Sequence, residues 1–205
     1  MNLAFLGDAL DHWKGSLFES LHKSGVLRNF AVDPVASDWA AWQPEDVSLF
    51  ALLLRVDESK IVRHKVGLSN RKHYFDEIEH TGDLFLDPDT GIATGKVKRI
   101  NQHVKPLEIE RLLRGSERLL AVYQHVRAPS VSTRVDAVCR TLYGTIDCCH
   151  WSSYESGTVA MLSLSRSHHR TAAVATHFAS VLGRHALGRV RRSSNGAYTR
   201  RTWLG

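Results

Sequence analysis

Seven short apolar segments, most of them bounded by Gly, Pro or Asp, set the first limit on how this sequence folds. They are residues 2–6, 27–32, 61–66, 83–87, 119–123, 145–151 and 158–164. Segments with apolar residues at helical spacing lie between them, and two of these begin at a proline, Pro44 and Pro106. Strands that alternate with helices favour a parallel sheet with helices on both faces.

The last two apolar segments differ from the others because only residues 152–157 separate them. Parallel neighbours need a connection of about a dozen residues or more, so we expect this pair to be antiparallel. The predicted fold is therefore α/β: a doubly wound, mostly parallel seven-stranded sheet of the Rossmann type that ends in an antiparallel hairpin. We assign residues 1–186 to a single α/β domain and residues 187–205 to an Arg-rich C-terminal tail.

Composition excludes several classes of protein. Of the 205 residues, 43% are hydrophobic and 23% charged, as in an ordinary soluble globular chain. No run of about 18 apolar residues is present, and Asp8 and Asp11 interrupt the apolar stretch near the start, so we expect no membrane helix, no signal peptide and a cytoplasmic location. Three cysteines without C-x-x-C spacing argue against a disulfide framework and against a zinc ribbon.

The net charge of +6 is concentrated at one end of the chain. From Ser156 onward there are eight arginines, no lysine and no acidic residue. Clustered Arg side chains neutralise phosphates and release counterions, so this end is a candidate contact for nucleic acid. The predicted contact residues are Arg184, Arg189, Arg191, Arg192, Arg200 and Arg201. A solvated tail with no partner is the alternative that the same pattern leaves open.

Several familiar motifs are absent. No two glycines are separated by a single residue, which excludes G-x-G-x-x-G, and neither H-E-x-x-H nor G-x-S-x-G occurs. Residues 91–96, GIATGK, are one spacer short of a phosphate-binding loop, and Val97 stands where that loop needs a hydroxyl. The common dinucleotide enzymes, nucleoside triphosphatases, zinc proteases and serine hydrolases are therefore not expected.

Polar residues follow the predicted strands at the sheet edge where open α/β proteins place their sites. They are Asp8 and Asp11 after the first strand, Asp33 after the second, Asp87-Pro88-Asp89 after the fourth and His125 after the fifth. Each carboxylate has a purely local alternative, since Asp caps helices and opens turns. As a group they indicate a site for a metal, a cationic group or a hydroxyl-rich ligand.

This arrangement resembles the Rossmann-type S-adenosylmethionine-dependent methyltransferases, particularly those that methylate exocyclic amino groups of bases through a D-P-P-Y type motif. The shared features are the strand pattern with its final hairpin, the acid after the second strand, and Asp-Pro after the fourth. The resemblance implies that Asp87 and Pro88 receive the hydrogen bonds of the target amine. It also implies that Asp33 binds the ribose of the cofactor, and that Gly7 and Asp8 lie near its methionine part.

The sequence departs from that family at several positions. Asp89 replaces the second proline, Thr90 replaces the aromatic residue, and residues 7–11 lack a glycine-rich pattern. Base stacking then has to come from elsewhere, and Tyr123 is the candidate. His125 is expected to act as a general base, or to be a core histidine bonded to a backbone carbonyl.

Two further functions use the same residues. Hard oxygen ligands suit Mg²⁺ or Mn²⁺, so a metal-dependent nuclease or phosphodiesterase is the first alternative. Its ligands would be Asp8, Asp11, Asp87, Asp89 and His125. The second is a non-catalytic nucleic-acid-binding protein on a degenerate enzyme fold, in which the acids are structural. The sequence predicts nucleic acid as the partner and indicates no oligomeric state.

Overall fold

A six-stranded mixed sheet separates two groups of helices in the computed structural model, which describes residues 2–37, 39–64, 67–126, 130–147 and 149–193. The helices are α1 (Ala9–Lys23), α2 (Pro44–Leu54), α3 (Arg71–Asp76), α4 (Pro106–Leu113), α5 (Val131–Tyr143) and α6 (His168–Leu182). The strands are β1 (Ala31–Asp33), β2 (Leu84–Leu86), β3 (Gly91–Ile92), β4 (His103–Val104), β5 (Leu120–His125), β6 (His150–Ser156), β7 (Val159–Ser165) and β8 (Val190–Arg192).

The strand order of the main sheet is β1-β2-β5-β7-β6-β8. Strands β1, β2 and β5 are parallel, whereas β7, β6 and β8 each pair antiparallel with the strand before them in that order. The short strands β3 and β4 form a separate parallel pair. Because only three neighbouring strands share a direction, one edge of the sheet collects the carboxyl ends of β1, β2 and β5 and the other collects their amino ends.

The prediction of a mostly parallel, doubly wound seven-stranded sheet is wrong. Residues 2–6 form no strand, because the Asn2 side chain accepts a hydrogen bond from the Ala4 N–H and the chain turns into a 3-10 helix, with Phe5 63% exposed. Residues 61–64, interrupted by polar side chains, contribute one bridge, between Ile61 and Val32. Strand β8, within the segment predicted as a tail, adds an antiparallel edge instead.

The two faces of the sheet bury two apolar clusters. One packs α3, α4 and α5 against β2, β5 and β7. The other packs α1, α2 and α6 against the opposite face, through side chains such as Phe18, Phe50 and Phe178. None of the helices in the described ranges has the length and apolar content needed to cross a bilayer.

Helix α1 lies directly against the end of α2 because Gly15 has no side chain. A Cβ at this position would lie 2.1 Å from the Leu53 carbonyl oxygen, so any larger residue would push the two backbones apart. Helix α2 begins at Pro44, where the missing N–H costs no hydrogen bond, and Asp46 accepts from the Gln43 N–H. The contact at Gly15 therefore sets how closely α1 and α2 pack.

Candidate functional site

The carboxyl ends of β1 and β2 bring Asp33 and Asp87 to one edge of the sheet. The Asp87 N–H donates to the Asp33 carbonyl at 2.9 Å, so the two residues are tied through the ladder between neighbouring strands. Both side chains are buried, at 0% and 1% exposure. Buried carboxylates need partners, and the two acquire them in different ways.

Asp87 is held by a lysine from α1. Lys14 Nζ lies 2.7 Å from Asp87 Oδ2 and 2.6 Å from Asp11 Oδ1, and the three side chains are almost entirely buried. Burial by itself lowers the pKa of Lys14, but the negative charges of Asp87 and Asp11 outweigh it, so the pKa is raised and the ammonium stays charged. The same ammonium lies 4.8 Å from the centre of the Tyr123 ring, a cation–π contact.

Asp8 and Gly7 meet this cluster at the start of α1. Asp8 is the N-cap, and its side chain accepts from the Leu10 N–H at 2.8 Å and the Asp11 N–H at 3.2 Å. The Gly7 N–H donates to Asp11 Oδ2 at 2.8 Å. Burial raises the pKa of Tyr123, and the charges of Asp87, Asp8 and Asp11 raise it further.

Asp33 is enclosed in a second cluster. Its Oδ1 accepts from the Tyr74 hydroxyl and from the Val35 N–H, both at 2.7 Å. His64 Nε2 lies 3.2 Å from Oδ2, and the His64 ring stacks on Tyr74 with centroids 3.5 Å apart. Burial and the adjacent Asp33 charge raise the pKa of Tyr74 well above its ordinary value. The Asp33 carboxylate therefore faces protein groups and not solvent.

The chain after Asp87 is fastened to β5 by a buried glutamine. The Gln124 side chain accepts from the Ile92 N–H at 2.9 Å and donates to the Thr90 carbonyl at 2.8 Å. Gly91 leaves room for it, because its φ of +107° suits glycine and a Cβ there would lie 2.4 Å from Gln124. Pro88 is buried, whereas Asp89 is half-buried at the turn.

His125 ends β5 at the same edge and is half-buried. Its Nδ1 lies 3.3 Å from the Tyr123 hydroxyl. Through Tyr123, His125 is connected to the ring that Lys14 covers. The predicted general base therefore lies next to the acidic cluster but is not part of it.

The metal alternative is disfavoured by the position of Lys14. An ammonium occupies the space between Asp11 and Asp87, where a divalent cation would have to bind. Among the described residues, no three His, Cys, Asp or Glu side chains lie close enough together to hold a metal ion. The proposed ligands Asp8, Asp89 and His125 therefore do not complete a coordination shell.

The arginines predicted to contact nucleic acid are placed unequally. Arg191 is used internally: it pairs with Glu155, lies 2.7 Å from Asp136, and stacks on Trp151. Arg184 and Arg189 are exposed, and Arg192 is half-buried in β8. Arg200 and Arg201 lie outside the described residues.

Lys14, His64 and Tyr74 are functional candidates that the sequence did not single out. A signal was present for Lys14, because Asp11 and Lys14 are three residues apart on α1 and such pairs meet on a helix surface. No comparable pattern marks His64 and Tyr74, which reach Asp33 from segments 31 and 41 residues further along the chain.

Comparison with known proteins adds little. No family model and no curated protein matches the chain. Among solved structures, protein LPL1258 from Legionella pneumophila, described under the family model DUF519, is similar with a TM-score of 0.44 and 13% sequence identity. The match covers 84% of this chain and 63% of that one, so this chain spans less than two thirds of its length. A TM-score of this size does not establish a shared fold.

Proposed function

We propose that this protein is a methyltransferase-like enzyme that transfers a methyl group from S-adenosylmethionine to an exocyclic amino group of a nucleic acid base. The observation that carries the proposal is the Asp87 carboxylate at the end of β2, which accepts a hydrogen bond from the Lys14 ammonium at 2.7 Å. A carboxylate that is kept charged in a buried position is suited to bind the N–H groups of an amine. The Pro88 carbonyl would be the second acceptor, as the resemblance to the methyltransferases implies.

Lys14 has a positioning role in this proposal. Burial raises the pKa of the Asp87 carboxyl, and the Lys14 ammonium opposes that rise. Without the ammonium, Asp87 and Asp11 would repel one another and favour protonation, and a protonated Asp87 would lose an acceptor for the amine. The pKa of Asp87 stays raised by burial, and the Lys14 ammonium favours the charged form against that effect.

The cofactor residues implied by the resemblance fit only in part. Bound S-adenosylmethionine would supply an electrophilic methyl group. Gly7 and Asp8 lie at the same edge as Asp87, consistent with the methionine part of that cofactor. Asp33 does not fit the ribose role, because Tyr74, Val35 and His64 enclose its carboxylate.

Tyr123 is likewise unsuited to stack on a base. The side chain is 5% exposed, and Lys14 covers a face of the ring. An aromatic surface for the base would have to come from another residue at this edge. Trp13 satisfies that condition, since it precedes Lys14 on α1, is half-buried, and stacks on Tyr154 with centroids 5.8 Å apart.

The test combines ligand binding with methyl transfer. S-adenosylhomocysteine should raise the melting temperature of the wild-type protein without added metal. Tritium should pass from labelled S-adenosylmethionine to RNA or DNA, and Asp87→Asn should lower that rate by about 10²-fold while leaving the melting shift in place. The matched control is Asp89→Asn, which changes the half-buried neighbour. An absent melting shift, or equal rates for wild type and Asp87→Asn, would refute the proposal.

A non-catalytic nucleic-acid-binding function is the second candidate. It is favoured by the fact that both carboxylates at the edge, Asp33 and Asp87, are buried against groups of the protein itself: Lys14 pairs with Asp87, and Tyr74 and Val35 donate to Asp33 Oδ1. This function predicts salt-dependent binding to nucleic acid with no response to S-adenosylhomocysteine. The same melting experiment therefore separates the two candidates.

A further inference from the structure

A cleft of about 320 Å³ opens at the opposite edge of the sheet, where β1, β2 and β5 begin. Its polar side chains come from Arg28, Asn29, Thr81, Asp83, Glu117, Arg118 and Arg170. Three of them are guanidinium groups, brought together from the segments before β1 and β5 and from the first turn of α6. The cleft lies away from Asp87, so it has no part in the function proposed above.

Asp83 is a buried carboxylate in the lining of this cleft, and it binds groups from several of the surrounding segments. Its Oδ2 accepts from the Arg28 N–H at 2.7 Å, and its Oδ1 accepts from the Leu119 N–H at 2.8 Å. Arg170 pairs with Oδ2 and donates from its other terminal nitrogen to the Val26 carbonyl at 3.1 Å. One buried carboxylate therefore joins the starts of three parallel strands to α6, and Arg170 uses its charge to neutralise Asp83.

Arg118 has no comparable counter-charge. Its terminal nitrogen donates to the His80 carbonyl, but its Nε is buried and has no hydrogen-bond partner within the described residues. Burial lowers the pKa of Arg118, and the nearby charge of Asp83 opposes this only in part. Since Asp83 is already paired with Arg170, Arg118 lines the cleft as a guanidinium that forms no ion pair with a carboxylate among the described residues.

Arg28 adds a second available cation at the mouth of the cleft, where its side chain is exposed. Glu117, which is also exposed, is the one other acidic residue in the lining. Three guanidiniums against two carboxylates leave an excess of one positive charge. Arginine forks match the oxygens of phosphate, with two parallel N–H donors to one group.

We propose that this cleft binds the phosphate group of a small phosphorylated molecule, with Arg118 and Arg28 as its ligands and Arg170 held in place by Asp83. The exposed Glu117 carboxylate at this open cleft favours a compact phosphomonoester, because a polyanionic strand would have to pass that negative charge. Asn29 and Thr81 provide hydrogen-bonding groups for the remainder of the molecule. The cleft volume of about 320 Å³ lies at the lower end of the range for small-molecule sites.

Isothermal titration calorimetry on the full chain tests the site, with AMP, inorganic phosphate, adenosine and a short RNA lacking terminal phosphates as probes. AMP should bind and adenosine should not. Arg118→Gln should weaken AMP binding at least tenfold, and Arg28→Gln, an exposed change that does not disturb the core, should weaken it severalfold. The control is Arg114→Gln, because Arg114 is exposed on the same segment but does not line the cleft.

Three outcomes overturn the proposal. The first is equal binding of AMP and adenosine, which would show that the phosphate contributes nothing. The second is unchanged AMP binding in Arg28→Gln together with an effect of Arg118→Gln no larger than that of Arg114→Gln. The third is binding of the RNA without terminal phosphates, lost in Arg118→Gln, while AMP does not bind. Circular dichroism of each variant establishes that the chain is folded.

Discussion

Asp83 and Asp87 flank the same three-residue strand, β2, and each is neutralised by one cation from a helix on the same face of the sheet: Arg170 of α6 and Lys14 of α1. At about 3.3 Å per residue the two carboxylates are roughly 13 Å apart along the strand. The charges beside these two ion pairs have opposite signs at the two edges of the sheet. Asp11 adds a second carboxylate beside Asp87, whereas Arg118 and Arg28 add cations beside Asp83.

Removing the Lys14 charge should destabilise the protein strongly. Lys14→Met leaves Asp11 and Asp87 buried without a counter-charge, and we expect a loss of about 3–5 kcal/mol in the free energy of unfolding. Urea denaturation measures this loss. Lys23→Met is the matched control, because Lys23 pairs with Glu19 on the exposed face of the same helix and its loss should change the free energy of unfolding little.

The double variant Lys14→Met, Asp87→Leu distinguishes two sources of instability. One is the loss of the ion pair itself, and the other is the cost of a buried carboxylate without a counter-charge. If the cost of Lys14→Met comes from the stranded carboxylates, removing Asp87 as well should restore part of the stability. The assignment of Lys14 to this cluster would be contradicted if the two substitutions were additive. In that case the double variant would lose the sum of the unfolding free energies lost in Lys14→Met and in Asp87→Leu.

The stability of the protein should depend on the polar groups of the Gln124 side chain. Gln124→Leu removes the acceptor of the Ile92 N–H and the donor to the Thr90 carbonyl, so we expect a loss of about 2–3 kcal/mol in the free energy of unfolding. Gln124→Glu keeps the acceptor and should retain more stability at a pH where it is neutral. Equal stability of wild type and Gln124→Leu by urea denaturation would show that Gln124 does not fasten the loop after Asp87.

The helices were more accessible to sequence reasoning than the sheet. Pro44, Pro106 and Ser130 are local signals for helix starts, and α2, α4 and α5 begin at or directly after them. Strand direction depends on partners far along the chain. The apolar content of residues 2–6 suggested a buried strand, but only packing reveals that Phe5 lies at the surface.

The same limit applies to the candidate site. The expectation that acids after parallel strands share one edge follows from the sheet rule, and Asp33 and Asp87 do lie at neighbouring strand ends. The residues that contact these two carboxylates could not be predicted from the sheet rule. Lys14 is 73 residues from Asp87, so the pair forms only when α1 packs against the sheet. Nor does the local sequence of Asp33 show that Tyr74 and His64 enclose it.

Salt dependence should distinguish the exposed arginines from the internally paired one. If the C-terminal segment contacts nucleic acid, Arg184→Gln with Arg189→Gln should reduce the slope of log K against log salt by roughly 2, about 0.9 for each lost phosphate contact on duplex DNA. Arg191→Gln should leave the slope unchanged and lower thermal stability, because Glu155 and Asp136 lose their partner. A slope that falls equally in Arg191→Gln would contradict this division.

Stability should decline in mild acid because of His150. Burial lowers the pKa of His150 below its ordinary value of 6.5, and the charge of His168, whose ring centroid is 5.4 Å away, lowers it further. The unfolded chain then binds a proton more readily than the folded one. This contribution to stability is therefore present above pH 6.5 and is lost as the pH falls through 6.5 towards the folded-state pKa.

Melting temperatures between pH 7.5 and 5 measure the effect. The decline towards acid should be shallower for His150→Gln than for wild type, and His168→Gln should have a smaller effect of the same sign, because it removes only the secondary cause of the lowered pKa. His150 pairs with Ser165 of β7 through the strand backbone, so the substitution keeps the ladder intact. Parallel curves for wild type and His150→Gln would assign the acid sensitivity to other groups.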